Sequence, residues 1–200
     1  MRAMSLRTAA WIATGVAALA LICLLAWLNV NGYAQRPVAV GGPFHLVDQD
    51  GRAVDESILQ GRWSAVYFGY TYCPDVCPTT LQMLGQAQAA LGDKGKAFRV
   101  VFITVDPARD TPAQLKDYLS NQGFPAGAIG LTGTQAEVAQ AAAAYGAYFQ
   151  KQGTGATYTV NHSSVIYLMG PHGRFATGFS TGLTPDQARD QILRAMNRQN

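Results

Sequence analysis

The stretch YFGYTYCPDVCP, residues 67–78, decides how the chain folds. It continues an apolar, aromatic-rich run (AVYF, residues 65–68) that is typical of a buried strand. The run breaks at Gly69, and a short loop then presents Cys73 and Cys77 just before a helix. Functional sites of α/β proteins commonly lie at the carboxyl ends of strands. We therefore expect an α/β fold with its functional site at these two cysteines.

The spacing of the cysteines limits their chemistry. Positions i and i+4 share one face of a helix, so Cys73 and Cys77 can bring both sulfur atoms to one side of its first turn. The unpaired N–H groups at a helix amino end also favour a thiolate. Such a pair can close a redox-active disulfide or hold a soft metal ion. A structural disulfide, or two small buried side chains, is the alternative. Pro74 and Pro78 stiffen the loop, and a structural disulfide more often joins distant segments.

A second feature is the apolar run near the amino end. Residues 9–30 carry no charge and are long enough to cross a bilayer as a helix of about 20 residues. A cleaved signal peptide is the competing interpretation, since GYA at residues 32–34 resembles a cleavage pattern. We favour an uncleaved anchor because the run is longer than the apolar region of a signal peptide. Trp11 and Trp27 also lie near its ends as interfacial anchors do. Cys23 is interpreted as an apolar filler of the span.

Positive charges near this run predict its orientation. Arg2 and Arg7 precede it and only Arg36 closely follows it, which places the amino terminus in the cytoplasm. Residues 1–8 are then cytoplasmic, and residues 9–30 form a single-pass anchor in the inner (cytoplasmic) membrane. Residues 31–42 form a linker that contains proline and glycine, and residues 43–200 form a domain in the periplasm or on the outer face.

Composition narrows the function further. Two hundred residues, 48% of them hydrophobic, allow one domain with a full core beside the anchor. The net charge is +3 without a long basic run, so we expect no nucleic-acid partner. With Cys23 set aside, two cysteines remain in the exported part. In an oxidising compartment they must form a disulfide, be kept reduced by a partner, or bind a metal.

The remaining segments predict the architecture. Their patterns indicate an amino-terminal hairpin at residues 43–54 and a strand buried on both faces at residues 98–105. Two further hairpins are expected at residues 148–160 and 163–179. Four helices are expected at residues 79–91, 113–122, 137–145 and 185–196. With the cysteine strand, this order is the thioredoxin arrangement with an insertion between its two halves. In that arrangement, the loop that contains His162 comes close to the cysteine loop.

The loop after the buried strand, DPARDTP at residues 106–112, is a candidate rim of the site. Asp106, Arg109 and Asp110 lie at the same strand-end edge as the cysteines and can supply its charges. The alternative is a salt-bridged capping loop, since Pro112 suits the first position of a helix. Three other potential metal ligands are given structural interpretations. His45 is interpreted as a partly exposed hairpin residue, Met83 as a core residue and His172 as an exposed turn residue.

Four blocks, FGYTYCPDVCPTTL, VDPARDTP, LTGT and NHSSVIYLMGPHGRF, resemble the Sco/SenC family of membrane-anchored copper proteins across residues 43–196. The resemblance implies that Cys73, Cys77 and His162 bind one copper ion. It also implies a role in assembly of the dinuclear copper A centre of cytochrome c oxidase. Two thiolates and one imidazole suit Cu(I), and the same set can hold Cu(II) with an added oxygen ligand. Zinc is the chemical rival, although a closed zinc site normally has four ligands.

One position departs from the family pattern. Many members carry aspartate immediately before the metal-binding histidine, whereas this chain has Asn161. The missing negative charge should remove an axial carboxylate contact and shift the balance towards Cu(I). Asp75, between the cysteines, is a remaining nearby acid, unless it only caps the turn that follows it.

Two functions from different classes remain open. The first is a metallochaperone that passes copper to the copper A subunit without substrate turnover, with another copper chaperone and a thiol reductase as further candidate partners. The second is a thiol:disulfide oxidoreductase that keeps the cysteines of the oxidase copper site reduced. A peroxiredoxin-like peroxidase is disfavoured by the two-cysteine loop. We predict the metallochaperone, because thiol exchange gives no reason for His162 to converge on the cysteines.

Overall fold

The computed structural model describes residues 6–32 and 40–198, and its contacts divide the chain into two compact units, Met1–Val38 and Ala39–Asn200. In the first unit, helix α1 spans Leu6–Gly32. Its segment Ala10–Leu28 is long and apolar enough to cross a membrane, criteria that a signal sequence also meets. The charges at Arg2 and Arg36, most of the predicted linker and two residues of the GYA pattern lie outside the described residues.

The second unit is an α/β domain. Its strands are β1 (His45–Asp48), β2 (Ala53–Asp55), β3 (Trp63–Gly69), β4 (Phe98–Thr104), β5 (Ile129–Thr132), β6 (Phe149–Gln152), β7 (Thr159–His162), β8 (Val165–Met169) and β9 (Phe175–Ser180). Its α-helices are α2 (Val76–Ala90), α3 (Pro112–Leu119), α4 (Gln135–Tyr145) and α5 (Pro185–Arg198), with short 3-10 helices at Glu56–Leu59 and Gly92–Ala97.

Seven strands form one sheet in the order β2-β1-β5-β4-β3-β8-β9, and β6 and β7 form a separate ribbon. β3, β4 and β5 are parallel, whereas β8 is antiparallel to β3 and β1 is antiparallel to β5. β3 is buried along its whole length, as expected for a strand covered on both faces. α2 packs against α5, α3 against β5, and α4 against β1. The predicted fold, with its amino-terminal hairpin and insertion, is confirmed.

Two helices begin where their capping residues predict. The Thr111 hydroxyl accepts a backbone N–H bond at the start of α3, and Pro112 lies in the first turn. Thr134 and Glu137 form a reciprocal capping box at the start of α4. α4 ends at Tyr145 and is capped by Gly146, whose φ of 63° is left-handed backbone that glycine adopts without strain. These caps place the loops that precede α3 and α4.

The structure differs from the sequence-based prediction in several places. α2 begins at Val76 instead of residue 79, so Cys77 lies in its first turn. α3 ends at Leu119 instead of residue 122, because the chain turns at Ser120. The short, glycine-containing strand β5 was not predicted. His162, expected in a loop, is the last residue of β7, where it pairs with Phe149.

Side-chain burial confirms three structural interpretations. His45 and His172 are exposed, as expected for residues of a hairpin and a turn. Met83 is 5% exposed and belongs to the core beneath α2. Neither histidine is part of the group of potential His, Cys, Asp or Glu metal ligands found in the described parts of the chain.

Candidate metal centre

The fold brings together three side chains that are distant along the chain. The donor atoms of Cys73, Cys77 and His162 all lie within 4.8 Å of one another. The Cys77 Sγ and His162 Nε2 atoms are 3.5 Å apart. Within residues 6–32 and 40–198, this is the one group of three or more such side chains that is close enough to hold a single ion.

The end of β3 and the start of α2 place the cysteines. The Cys77 N–H lies in the first helical turn and donates to the Cys73 Sγ atom at 3.4 Å, so this sulfur acts as a helix cap. Cys77 is fully buried behind Cys73, which is half-buried. Gly69 makes room for it, because a Cβ atom there would lie 2.9 Å from the Cys77 Sγ atom and 2.7 Å from the Phe102 ring.

The backbone fixes which nitrogen of His162 is available. Its Nδ1 atom lies 3.1 Å from the carbonyl oxygen of Ser163. A carbonyl oxygen only accepts, so Nδ1 carries the proton and Nε2 presents its lone pair towards Cys77. The rings of Tyr67 and Tyr70 pack edge-on against the imidazole, with centroids 6.1 Å and 5.9 Å away. The imidazole is therefore oriented before any ligand binds.

The two thiols have opposite environments. The hydrogen bond from the Cys77 thiol, with smaller help from backbone N–H groups, lowers the pKa of Cys73 to about 3. The same bond, together with burial, raises the pKa of Cys77 well above its ordinary value. The Tyr67 hydroxyl donates to the Cys77 Sγ atom at 3.5 Å. The pair therefore contains one readily formed thiolate and one thiol that keeps its proton.

Asp110 lies beneath the cysteine loop and not at its rim, since it is fully buried. Its carboxylate accepts hydrogen bonds from the Thr71 N–H, the Thr71 hydroxyl and the Thr104 hydroxyl at 3.0, 2.7 and 2.6 Å. Burial raises its pKa above the ordinary value for aspartate. Asp110 thus ties the cysteine loop to the end of β4.

Asp106 and Arg109 form the ion pair that the alternative interpretation of their loop predicted. Asp106 is 5% exposed and also accepts a hydrogen bond from the Tyr158 hydroxyl at 2.6 Å. The Arg109 guanidinium stacks over the rings of Tyr158 and Tyr72, 3.7 Å and 4.6 Å from their centroids. The loop after β4 therefore contacts both the cysteine loop and the β6–β7 ribbon.

Asp75 and Asn161 are both exposed. Asp75 precedes α2 but makes no side-chain cap to its backbone, and its carboxylate accepts from the Thr79 hydroxyl at 3.4 Å. Asn161 precedes His162 in β7, and successive side chains of a strand point to opposite faces. The side chain at position 161 therefore faces away from the site.

Sequence reasoning missed the roles of Tyr67 and Tyr158. Tyr67 lies in a strand that is apolar or aromatic apart from Ser64, so its pattern did not distinguish a hydrogen-bond donor from core packing. Tyr158 lies in the turn region before β7 and donates a hydrogen bond to Asp106, which is 52 residues earlier in the chain. Nothing in the sequence around Tyr158 indicates this partner. Proximity to the predicted ligands was the one signal available for Tyr67.

The donor set suits a soft ion. Two sulfur atoms and one imidazole nitrogen match the preference of Cu(I), which accepts three ligands. A closed zinc site needs a fourth ligand, and the group in the described residues has three members. Cys73 and Cys77 are free thiols in this structure. The geometry is therefore compatible with a copper site.

Comparison with known proteins places the chain. The SCO1/SenC family model matches residues 33–197. Protein SCO1, mitochondrial, of Saccharomyces cerevisiae is 42% identical over 159 residues, which cover 78% of this chain and 53% of that protein. The SCO2 homolog, mitochondrial, of Homo sapiens is 39% identical over 168 residues, which cover 82% of this chain and 62% of that protein. The chain spans about half the length of the curated relatives it matches.

Solved structures agree with this placement. Arabidopsis thaliana ScoI with copper bound is 37% identical, with a TM-score of 0.75 over 80% of this chain and 99% of that one. Bradyrhizobium japonicum ScoI with copper bound is 42% identical, with a TM-score of 0.70 over 78% and 99%. BsSco, a member of the Sco family of cytochrome c oxidase assembly proteins in which a disulfide switch was identified, is 25% identical, with a TM-score of 0.64 over 80% and 96%. On its sequence and its fold, the chain belongs to the SCO1/SenC family.

Proposed function

We propose that this protein is a copper metallochaperone that binds one ion through Cys73, Cys77 and His162. The observation that carries the proposal is the convergence of these three donors, from two distant segments, to within 4.8 Å. Two features of the site support it: the Cys73 thiolate and the free Nε2 lone pair of His162 are both ready to bind a soft cation. Relatives whose structures were solved with copper bound support the choice of metal.

The proposed recipient is the dinuclear copper A site of cytochrome c oxidase. The description of BsSco as belonging to a family of oxidase assembly proteins supports this proposal. α1 would anchor the chain in the inner membrane, with the domain of residues 43–200 in the periplasm or on the outer face. Ligand exchange would then pass the ion to the copper A subunit, while a second copper chaperone would supply it and a thiol reductase would keep the cysteines reduced.

Anaerobic titration of the full chain in detergent with Cu(I) tests the site. We expect one equivalent to be retained by the natural protein and by His172→Ala, which removes an exposed imidazole outside the site. His162→Ala should lose stoichiometric retention against a chromophoric chelator, yet Cys73 and Cys77 should still form a disulfide on oxidation. Tight retention of one equivalent by His162→Ala would disprove the ligand assignment.

A thiol:disulfide oxidoreductase is the second candidate function. It is favoured by the arrangement of half-exposed Cys73 in front of buried Cys77, which suits an attacking and a resolving thiol. The reaction would oxidise this pair to a disulfide while reducing one disulfide of the partner. The Cys77 proton would pass to one partner sulfur, and the other partner sulfur would leave as a thiolate that takes its proton from water. His162→Ala separates the two functions, because it should weaken copper binding below stoichiometric retention against the chelator and leave the rate of disulfide reduction unchanged. Equal loss of both would argue against an independent reductase.

A further inference from the structure

The segment that carries His162 belongs to a ribbon that stands apart from the main sheet. β6 and β7 pair with each other, and neither pairs with another strand in the described residues. At its base, the Ser163 N–H donates to the Tyr148 carbonyl oxygen at 2.9 Å, which closes the ribbon on itself. The position of the ribbon against the cysteine loop must therefore depend on contacts other than sheet hydrogen bonds.

Three residues supply such contacts near the start of β7. Asp106 accepts from the Tyr158 hydroxyl at 2.6 Å and from the Arg109 guanidinium. Arg109 Nη1 in turn donates to the Tyr158 carbonyl oxygen at 3.1 Å. We call Asp106, Arg109 and Tyr158 the clamp. It joins the ribbon to the loop after β4 through both a side chain and the backbone.

The clamp also reaches the cysteine loop. The Arg109 guanidinium lies 3.7 Å from the ring centroid of Tyr158 and 4.6 Å from that of Tyr72, and Tyr72 immediately precedes Cys73. It also lies 5.8 Å from the ring of Tyr70, which packs on the imidazole of His162. One cation thus contacts both segments that bring the potential metal ligands together.

Stability alone gives little reason for this arrangement. The side chains of Asp106 and Arg109 are 5% and 16% exposed. The free energy lost when two buried charges are removed from water often equals the free energy gained from their attraction. Arg109 Nη2 is buried without a hydrogen-bond partner in the described residues. The best-supported role of buried polar contacts is to make neighbouring structural elements adopt one particular arrangement. Here the elements are the cysteine loop and the ribbon.

We propose that Asp106, Arg109 and Tyr158 are positioning residues that hold His162 against Cys73 and Cys77 before copper binds. The inference rests on the proposed copper site. It adds that ligand geometry is set by a clamp that touches none of the three ligand atoms. Loss of a group that orients a metal ligand typically lowers metal affinity about 10- to 100-fold.

Tyr158→Phe is the mildest test. It removes the hydroxyl that donates a hydrogen bond to Asp106 and keeps the aromatic ring against Arg109. Tyr148→Phe is the matched control, since it removes a hydroxyl from the same ribbon that donates to the Gln150 side chain at 2.6 Å. In the full chain in detergent, competition with a chromophoric Cu(I) chelator should give about tenfold weaker binding for Tyr158→Phe and unchanged binding for Tyr148→Phe. Arg109→Lys, which keeps the charge and loses the planar fork, should weaken binding at least as much.

A double-mutant cycle separates positioning from a general loss of structure. In the His162→Ala background, Tyr158→Phe should weaken residual Cu(I) binding less than twofold, because the clamp acts through the missing imidazole. A loss of the same size with and without His162, or no difference between Tyr158→Phe and Tyr148→Phe, would overturn the proposal.

Amide exchange of metal-free protein decides the matter independently of copper. Tyr158→Phe should speed exchange of the β7 amides around His162, whereas Tyr148→Phe should not. If the natural protein retained no copper, the proposed function would fail, yet faster exchange would still support the clamp. If the natural protein retained copper normally but Tyr158→Phe left amide exchange unchanged, the clamp proposal would fail while the proposed function would stand.

Discussion

Substituting Gly69 by alanine tests whether the geometry around Cys77 is as tight as the structure indicates. Gly69 is the last residue of β3, and its backbone passes directly over the buried sulfur. An added methyl group would lie 2.7 Å from Cε2 of Phe102 and 2.9 Å from Sγ of Cys77. Phe102 is fully buried in β4 and packs against Tyr67, so neither neighbour is a mobile side-chain end.

The size of the effect follows from these distances. Ordinary contacts lie at about 3.5–4.0 Å, so approaches of 2.7 and 2.9 Å demand shifts of about 0.6–1.3 Å. Overpacking of a core by one methyl group costs about 1–3 kcal/mol. In a domain of this size, about 2 kcal/mol lowers the Tm by about 4–8 °C. A sulfur shift of that size exceeds the tolerance of about 0.2 Å in metal–ligand distances, so Cu(I) affinity should fall about tenfold or more.

Gly178→Ala is the matched control. Gly178 lies in β9 of the same sheet, and a Cβ atom there would meet its nearest neighbour at an ordinary 3.4 Å. Thermal unfolding by circular dichroism and chelator competition should separate the two variants, with Gly69→Ala impaired in both assays and Gly178→Ala close to the natural protein. If both variants unfolded at the same temperature and bound Cu(I) equally well, the packing argument for the Cys77 pocket would be refuted.

Two further predictions concern charge at the site. Between pH 7 and 9, Cu(I) binding should release about one proton per ion, because the pKa of Cys73 is lowered to about 3 while Cys77, whose pKa is raised, must still lose its proton. Apparent affinity for Cu(I) should accordingly rise about tenfold per pH unit. Calorimetry in buffers of different ionisation enthalpy counts the released protons. A count near two would contradict the assignment of Cys73 as thiolate and Cys77 as thiol. Asn161→Asp should change the preference for Cu(II) over Cu(I) by only about twofold, because an exposed charge that faces away from the site contributes only about 0.5 kcal/mol through water. Competition titrations in both oxidation states measure this ratio, and a tenfold change would place residue 161 at the metal.

The cysteine strand, its loop and the helix after it were predictable because their signals are local. A buried parallel strand has a continuous apolar pattern, and capping residues such as Thr111 and Thr134 mark helix starts within a few residues. By contrast, β5 has four residues, one of them Gly130. That glycine is explained by the Leu119 side chain, which would lie 2.8 Å from an added Cβ atom. Close approach of a helix to a strand leaves no mark in the local pattern.

The predicted charged rim illustrates the same limit. Its residues were found, but their roles depend on partners that are far away in sequence. Asp110 is explained by Thr71, 39 residues earlier, and Asp106 by Tyr158, 52 residues later. An acid next to proline in a loop looks the same whether it faces solvent or ties two segments together. The sequence located this edge of the sheet, and only tertiary structure distinguished an exposed rim from buried supports.

The separation of His162 from the cysteines has an energetic consequence for cargo binding. Cys77 and His162 are 85 residues apart, and closing such a loop in an unfolded chain costs about 4 kcal/mol, or about a thousandfold in effective affinity. On the same estimate, the cysteines, four residues apart, cost only about 1 kcal/mol to bring together. The fold therefore supplies the third ligand, so a bound ion that uses it must stabilise the folded domain over the unfolded chain. A site of this kind retains its ion only while the ribbon stays in place, which makes the contacts between ribbon and cysteine loop part of the binding energy.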